Sequence, residues 1–247
     1  MKALITGASS GIGRDMAVYL SKLGYELVIV ARSEDKLIKL KNEISTEAEI
    51  FVTDLSKKEN CYALFEAHKD IDILINNAGF GLYGTFDETN LETELSMIDT
   101  NITAVHILTK LYLGEMIKKD SGRILNVASL AGFMAGPFMS TYYATKNYVV
   151  ALTNAIDKEL QKKGSHVKIS VLCPGPVKTD FNKKANVRHS KGQLPSKDVA
   201  KYAIDCMFKN KVVILPGLVV KLTKLGAKLA PDALLKEVTY HVQKAKG

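Results

Sequence analysis

With 247 residues, 47% of them hydrophobic and 24% charged, the chain suits one large α/β domain with a sizeable core better than two small domains. Its net charge of +8 comes from lysines spread along the whole sequence. Nucleic-acid-binding proteins concentrate such charge and interleave it with aromatic residues, so these lysines indicate solvated faces and no nucleic-acid partner.

The cysteines and the apolar segments bear on where the protein works. Cys61, Cys173 and Cys206 occur in separate contexts. They form neither a disulfide framework nor a metal-ligand pattern, so we expect no bound metal and a reducing compartment. The first residues enter an apolar strand with no signal peptide, and no run reaches the roughly 18 apolar residues that a transmembrane helix needs. The sequence therefore predicts a cytoplasmic protein.

Apolar strands alternate with helices along the chain. The pattern predicts strands at 2–6, 25–31, 48–53, 71–75, 123–128, 167–173 and 212–215, and helices at about 11–23, 34–45, 57–68, from 91 onward, 141–163 and 196–209. Near-continuous apolar strands of this kind are typical of a parallel sheet covered on both faces. We therefore expect an α/β fold with a doubly wound parallel sheet of seven strands and helices on both faces.

A glycine-rich turn joins the first strand to the first helix. It reads Gly7, Ala8, Ser9, Ser10, Gly11, Ile12, Gly13. Unpaired N–H groups and the helix dipole make such a turn an anion site, and its glycines let the backbone approach a pyrophosphate closely. The residues that we expect to bind a dinucleotide here are Gly7, Ser9, Ser10, Gly11, Ile12 and Gly13. A purely structural glycine turn is the alternative.

The second strand ends in Ala31 and Arg32, about where dinucleotide folds place an acidic residue for the ribose 2′-hydroxyl. A guanidinium pairs bidentately with a phosphate, whereas a carboxylate would repel a 2′-phosphate. Arg32 therefore favours NADP(H) over NAD(H), unless it is only a surface charge.

The stretch from Ser129 to Lys146 carries the clearest chemical signal. Lys146 follows Tyr142 by four residues, so the two side chains share one face of a helix. A nearby ammonium stabilises a phenolate, so we expect Lys146 to lower the pKa of Tyr142. Ser129, at the end of the fifth strand, is placed to hold a carbonyl oxygen against the phenol. Taken alone, a tyrosine followed by a lysine at this spacing is often no more than a surface pair.

Together these motifs resemble the short-chain dehydrogenase/reductase family, with its Rossmann-like fold, over residues 1 to about 215. The motifs in question are Thr6–Gly13, Asp54, Asn76–Gly79, Asn101, Ser129, Tyr142 with Lys146, and Pro174–Thr179. The resemblance implies a catalytic tetrad of Asn101, Ser129, Tyr142 and Lys146. It also implies that Asp54 and Leu55 flank the adenine, that Asn76 and Ala78 flank the ribose, that Gly79 binds the cofactor too, and that Val177 and Thr179 hold the nicotinamide amide.

The resemblance further implies the reaction. Hydride moves between NADP(H) and a carbonyl or secondary alcohol, Tyr142 transfers the proton, Ser129 stabilises the oxyanion, and Lys146 binds the nicotinamide ribose. Asn101 would position a proton-relay water, although an asparagine within a helix also occurs facing solvent. A non-catalytic nucleotide-binding sensor of the same fold is the main alternative. A sugar-nucleotide epimerase or dehydratase is disfavoured because such enzymes usually add a substrate domain.

The C-terminal part departs from the family pattern. Residues 180–194 are polar, basic and weakly periodic, which suggests a mobile lid. After residue 215, where many members end in a short tail that seals a tetramer, some thirty residues continue as an extension packed on the domain, 216–247. We therefore expect a homodimer more than a tetramer.

The extension also bears on the substrate. Leu218, Leu222, Leu225 and Leu229 fall on one helical face, with lysines on another. This pattern favours an ordinary packed helix over a membrane-surface helix. We expect the extension to fold over the cleft or a dimer edge and to help accept hydrophobic, chain-bearing substrates.

Overall fold

The computed structural model describes residues 1–181, 185, 187 and 192–245. Its centre is a parallel sheet in which β1 (Lys2–Thr6), β4 (Ile73–Asn76), β5 (Arg123–Val127) and β6 (Lys168–Leu172) follow one another toward one edge. On the other side of β1 lie β2 (Glu26–Ala31) and β3 (Ala48–Val52). A short strand at Val213–Ile214, which is β9, pairs with β6 and completes seven parallel strands in the described part of the chain.

Helices cover both faces of this sheet because successive strand residues point to opposite sides. In β1, Ala3 and Ile5 pack into one apolar cluster and Leu4 into another, and all three are fully buried. The first cluster also receives apolar residues of α1 (Gly11–Lys22), α2 (Glu34–Glu43) and α7 (Ser196–Phe208). The second receives those of α3 (Lys58–Ala67), α5 (Ala104–Lys119) and α6 (Ser140–Lys162). The structure thus confirms the predicted doubly wound, Rossmann-like sheet with its seven strands.

The predicted element boundaries needed small corrections. The fourth strand begins at Ile73 rather than residue 71, and the seventh contains only Val213 and Ile214 rather than 212–215. The helix predicted from residue 91 consists of α4 (Leu91–Ile98), a π-helical turn (Asp99–Thr103) and α5. A two-residue ladder also joins β7 (Val177–Lys178) to β8 (Leu194–Pro195), within sequence predicted as loop.

The strand order brings the predicted motifs to one edge of the sheet. The chain moves outward from β1 through β2 to β3, then crosses back to β4 and continues in the opposite direction. In parallel sheets of this kind, ligands bind beyond the carboxyl ends of the strands, where the order reverses. The glycine turn after β1 and the Asn76–Gly79 segment after β4 meet at this point.

Two helices follow the sheet: α8 (Leu218–Leu229) and α9 (Asp232–Lys244). They are separated by Ala230 and Pro231, and the proline ends the run of helical hydrogen bonds. No helix within the described residues is long and apolar enough to cross a membrane.

Candidate active site

One cleft of about 860 Å³ runs along the carboxyl edge of the sheet. Its floor comes from the strand ends, and one wall comes from α9. Most of the residues proposed from the sequence line it, namely Gly7, Ser9, Ser10, Gly11, Ile12, Arg32, Asp54, Leu55, Ala78, Gly79, Ser129, Tyr142, Lys146, Val177 and Thr179. Three do not line it: Gly13, Asn76 and Asn101.

The glycine turn has the shape that an anion site needs. Gly7 and Gly11 have φ values of +65° and +58°, in the left-handed region that favours glycine. A Cβ on Gly11 would lie 2.9 Å from the Thr179 methyl group, so this side of the turn is closely packed. The Ser10 side chain makes no capping hydrogen bond to α1, so it does not occupy the N–H groups of the first turn. This cradle fits a pyrophosphate.

Gly13 lies beneath the turn rather than in the cleft. A Cβ built on it would lie 2.3 Å from Asn77 Nδ2 and 2.6 Å from the Gly7 carbonyl oxygen. The glycine therefore permits the close approach of α1 to the turn. Its role in cofactor binding is indirect.

Thr6 and Asn77 hold the turn against the end of β4. The Thr6 hydroxyl accepts hydrogen bonds from the backbone N–H groups of Asn77 (2.9 Å) and Ala78 (3.0 Å). The Asn77 side chain donates in return to the carbonyl oxygens of Thr6 (3.0 Å) and Gly7 (3.1 Å). The sequence analysis gave neither residue this positioning role. The signal was a polar residue at the end of β1 and another directly after the end of the neighbouring parallel strand β4.

Asn76 corrects one prediction from the resemblance. Its side chain is buried and donates to Thr109 Oγ1 (3.0 Å) and Asn126 Oδ1 (2.9 Å). Asn126 in turn donates to Thr153 Oγ1 at 3.0 Å. Because this polar network lies between β4, β5, α5 and α6, the Asn76 side chain faces the interior and not a cofactor ribose.

Arg32, Asp54 and Leu55 lie together at the end of the cleft where we predict the adenine. Arg32 is exposed on the cleft rim and, among the described residues, forms no salt bridge. Its guanidinium is therefore free of a competing carboxylate. Asp54 accepts a hydrogen bond from the Ser56 N–H at 3.0 Å, which orients its carboxylate, and the buried Leu55 adds an apolar wall.

Ser129, Tyr142 and Lys146 meet at the centre of the cleft. Tyr142 and Lys146 are both buried on α6, with the Lys146 Nζ 5.8 Å from the centroid of the Tyr142 ring. The Lys146 ammonium donates to the Val127 carbonyl oxygen at the end of β5, at 3.0 Å. Ser129 lies near enough to the Tyr142 phenol to lower its pKa, and its Oγ accepts a hydrogen bond from the Ala131 N–H at 3.2 Å.

Burial, not charge, dominates the pKa values of this pair. Burial raises the pKa of Tyr142 well above its usual value near 10, and the nearby Ser129 side chain only partly opposes this shift. Burial lowers the pKa of Lys146 to about 8. The expectation that Lys146 depresses the pKa of Tyr142 is therefore wrong for the protein alone. The phenol stays protonated, as a proton donor requires.

The turn that carries Ser129 packs tightly on α6. This 3₁₀ turn (Leu130–Phe133) contains Gly132, where a Cβ would lie 2.7 Å from the Lys146 carbonyl oxygen. The Asn147 side chain donates to the carbonyl oxygens of Ala131 (3.0 Å) and Met134 (3.1 Å), which ties the turn to the helix. Gly132 and Asn147 thus fix Ser129 relative to Tyr142. The sequence analysis did not identify this role for either residue.

Asn101 lies in the π-helical turn and is completely buried, which excludes the solvent-facing alternative. Its side chain accepts from the Phe80 N–H (3.1 Å) and donates to the Phe80 carbonyl oxygen (2.9 Å) and Thr145 Oγ1 (3.1 Å). A Cβ on Gly79 would lie 2.8 Å from Asn101 Oδ1 and 3.5 Å from Lys146 Nζ. The Asn101 amide oxygen and the Lys146 ammonium therefore lie on either side of the small space next to Gly79.

Beyond Tyr142 the cleft becomes apolar. Tyr142 contacts Phe181 at a ring-centroid distance of 5.4 Å, and the same cluster includes Met97, Met139 and Tyr143. Parts of the lid predicted at 180–194, namely 182–184, 186 and 188–191, lie outside the described residues. Of the remainder, Asp180, Phe181 and Val187 line the cleft.

The far wall belongs to α9. Leu235, Val238, Thr239, Val242 and Gln243 line the cleft from this helix. The Gln243 side chain donates to the Tyr143 hydroxyl, and the Tyr83 hydroxyl donates to the Gln243 carbonyl oxygen at 3.1 Å. Tyr240 packs on Phe138 at 5.2 Å between ring centroids. The extension therefore covers the apolar end of the cleft in this structure.

A sequence profile described as short chain dehydrogenase matches residues 1–190 of the chain. The chain belongs to the short-chain dehydrogenase family. An uncharacterized oxidoreductase of Staphylococcus epidermidis is 32% identical over 224 residues, which cover 87% of this chain and 96% of that protein. A 3-oxoacyl-(acyl-carrier-protein) reductase of Rickettsia prowazekii is 32% identical over 202 residues, which cover 82% and 83%.

Solved members of the family have the same fold. A short-chain dehydrogenase from Sphingobium yanoikuyae in complex with NADPH superposes with a TM-score of 0.83 at 28% identity, over 92% of each chain. A short-chain dehydrogenase/reductase from Burkholderia phymatum in complex with NAD gives 0.83 at 27% identity, over 91% of each. The protein is therefore an oxidoreductase of this family, and these two solved members are in complex with NADPH and with NAD.

Proposed function

We propose that this short-chain dehydrogenase uses NADP(H) and interconverts a carbonyl and a secondary alcohol on a hydrophobic, chain-bearing substrate. The observation that carries the proposal is the meeting of Ser129, Tyr142 and Lys146 in one cleft. The cleft runs from the glycine turn, which has room for a pyrophosphate, at one end to an apolar wall at the other. A sensor without turnover has no need for a buried phenol, hydroxyl and ammonium placed together.

Each residue has a task that its surroundings support. The bound nicotinamide would supply or accept the hydride. Tyr142, held protonated by burial, donates its proton to the substrate oxygen when a carbonyl is reduced. Ser129 donates a hydrogen bond to that oxygen as negative charge develops on it. The pKa of Lys146 is about 8, so this side chain is about half protonated at pH 8. An anionic or hydrogen-bond-accepting group beside it would raise this pKa and favour the charged form.

Arg32 supports NADP(H) over NAD(H). Its guanidinium stands exposed on the cleft rim, at the position where a 2′-phosphate requires a bidentate donor. One solved relative is in complex with NADPH and another with NAD, so the family fold alone does not decide between the two cofactors.

The apolar end supports a chain-bearing substrate. Val238 and Val242 of α9 face the cleft together with Phe181 and Met139. One relative is a reductase of 3-oxoacyl-(acyl-carrier-protein), a substrate with an acyl chain next to the reacting carbonyl. Burying one methylene contributes about 0.8 kcal/mol, so each added carbon should raise kcat/KM about fourfold until the groove is full.

The test is oxidation of NADPH and of NADH against a homologous series of 2-ketones and 3-oxoacyl thioesters. We expect higher kcat/KM with NADPH and a rise with chain length that Val238→Ser with Val242→Ser flattens. Ile38→Ser, an exposed change on α2, is the matched control. Preference for NADH, or a flat dependence on chain length, would contradict the corresponding part of the proposal. NADPH binding without turnover of any carbonyl would favour the sensor instead.

A further inference from the structure

The leucine face of α8 points into solvent. Its large apolar side chains are far more exposed than core residues: Leu218 70%, Val219 76%, Leu222 60%, Leu225 55% and Leu229 73%. An amphipathic helix normally buries its apolar face against the protein. The sequence favoured such packing for these leucines, and the structure contradicts it.

The opposite face of α8 contacts the domain. Val220 is 5% exposed and packs against Gly175, while the Lys224 ammonium lies 4.8 Å from the centroid of the Phe133 ring. At about 100° per residue, the four leucines centre roughly 170° from Val220 around the helix axis. The row of leucines therefore faces directly away from the body of the protein.

This outward row lies close to the entrance of the active site. Thr223 of α8 lines the cleft, as do Val238 and Val242 of α9. These two valines and Leu234 form a second stripe at i, i+4 and i+8, with 49%, 51% and 56% of their surfaces exposed. Monomeric proteins seldom leave apolar patches of this kind uncovered without a use for them.

Charge identifies what covers the row. Helix α8 contains three lysines and no aspartate or glutamate. Lys221 and Lys228 are exposed beside the leucines, and within the described residues neither forms a salt bridge. A second copy docked through this face would bring the lysines of two α8 helices together without a carboxylate on either. An anionic surface that also accepts leucine side chains complements both features.

We propose that α8 docks the protein on the surface of an anionic lipid bilayer. The leucine row enters the boundary of the acyl chains, and Lys221 and Lys228 lie among the headgroups. With 12 residues, α8 is too short to cross a hydrocarbon core of about 30 Å, so it lies in the interface plane. If the proposed function holds, this placement brings the cleft entrance to the bilayer, from which chain-bearing substrates enter.

The test is flotation of the full-length protein with vesicles of phosphatidylcholine alone or of phosphatidylcholine mixed with phosphatidylglycerol. We expect flotation with the anionic vesicles and its loss in about 1 M salt, where the Debye length falls to about 3 Å. Leu222→Ser with Leu225→Ser should reduce partitioning at least about tenfold. Lys221→Gln with Lys228→Gln should reduce it by a similar factor on anionic vesicles only.

The control variant makes equivalent changes elsewhere on the surface. On α2, Ile38→Ser with Lys36→Gln and Lys39→Gln alters an exposed apolar residue and two exposed lysines. It should float like wild type. Vesicle binding does not require turnover, so an inactive protein that still floats would refute the proposed function alone.

Two results would overturn the docking proposal. One is failure of the wild type to float with anionic vesicles. The other is a homodimer, measured by sedimentation, that the leucine pair of substitutions dissociates, because the occupant would then be a second copy. An unchanged melting temperature of the leucine variant would show that the second result concerns the surface and not the fold.

Discussion

The floor of the cleft and its C-terminal wall line opposite ends of the same cavity, yet they are built differently. In the floor, buried polar groups are paired in detail, as when Thr6 and Asn77 bond each other's backbone around the glycine turn. In the wall, which belongs to α9, the Gln243 Oε1 atom is buried without a hydrogen-bond partner in the described residues, and Leu235, Val238 and Val242 present apolar side chains to the cleft. The floor suits one constant ligand, whereas the wall suits variable, apolar ones.

The largest expected effect comes from removing one hydroxyl oxygen from Tyr142, compared with the same removal from Tyr240 of the wall. Tyr142→Phe removes the proton that we propose Tyr142 donates, so kcat should fall by about 100-fold or more while the affinity for NADPH stays the same. Tyr240→Phe makes the same change in the wall and should leave kcat within about twofold. Steady-state kinetics with fluorescence titration of NADPH measures both. A Tyr142→Phe enzyme that retains a tenth of wild-type kcat would remove Tyr142 from its catalytic role.

Glycine substitutions compare the packing of the same regions. Gly13→Ala places a Cβ 2.3 Å from Asn77 Nδ2, and such overpacking costs about 1–3 kcal/mol of unfolding free energy. Gly226→Ala in α8 meets no atom within 4 Å, so it should stabilise that helix by about 0.5–1 kcal/mol. Urea unfolding followed by circular dichroism gives both values. Equal effects would show that the turn is as loosely packed as the tail.

Lys146 makes stability depend on pH in a predictable direction. Its pKa is about 8 when folded and 10.5 in its ordinary state, so between these values the unfolded chain binds the extra proton. Stability contributed by this residue therefore rises with pH across that window, by about 1–2 kcal/mol from pH 8 to 9.5. Tyr142, with its raised pKa, acts in the opposite direction only above about pH 10.

Urea unfolding of wild type and Lys146→Met at several pH values isolates this contribution, since the other titrating groups are shared. The difference in unfolding free energy should change with the sign just given. Lys221→Met, on the exposed side of α8, should follow wild type. A difference that is constant with pH would mean that Lys146 keeps its charge when buried.

The smallest expected effect concerns the cofactor. Arg32→Asp should lower kcat/KM for NADPH about tenfold, equivalent to about 1.4 kcal/mol, and shift preference toward NADH. Lys228→Asp reverses a charge on the exposed side of α8, away from the cleft, and should leave the preference unchanged. If wild type already prefers NADH, or if both substitutions act alike, Arg32 is only a surface charge.

The floor was predictable from the sequence because its signals are local. A glycine turn between a strand and a helix, and Tyr142 four residues before Lys146, each specify geometry within a few residues. The assignment of Asn76 to the cofactor was wrong because the facing of a residue at a strand end depends on partners such as Thr109 and Asn126, far away in the chain. The pKa of Tyr142 was misjudged for a similar reason, since burial is set by residues such as Phe181 from other elements.

The structure of the C-terminal extension was predictable from the sequence only in part. Helical periodicity gave the leucine face of α8, but periodicity does not say which face meets the protein. Val220 and Lys224 make that contact, and neither belongs to the most apolar stripe. The cleft-lining role of α9 depends on pairs such as Gln243 with Tyr143, a hundred residues apart in sequence, for which no local pattern exists.

The π-helical turn at Asp99–Thr103 lies between two parts of the site: α4, which contributes Met97 to the apolar cluster beside Tyr142, and the Asn101 amide beside Lys146. A π-helical turn contains one residue more than the α-helical turn it replaces, so the helices on either side of it keep their phase. Deleting one residue from this turn would therefore give a regular helix and leave Met97 in its place, whereas the buried Asn101 amide would lose its position. The apolar cluster and the amide beside Lys146 can thus vary independently along this helix.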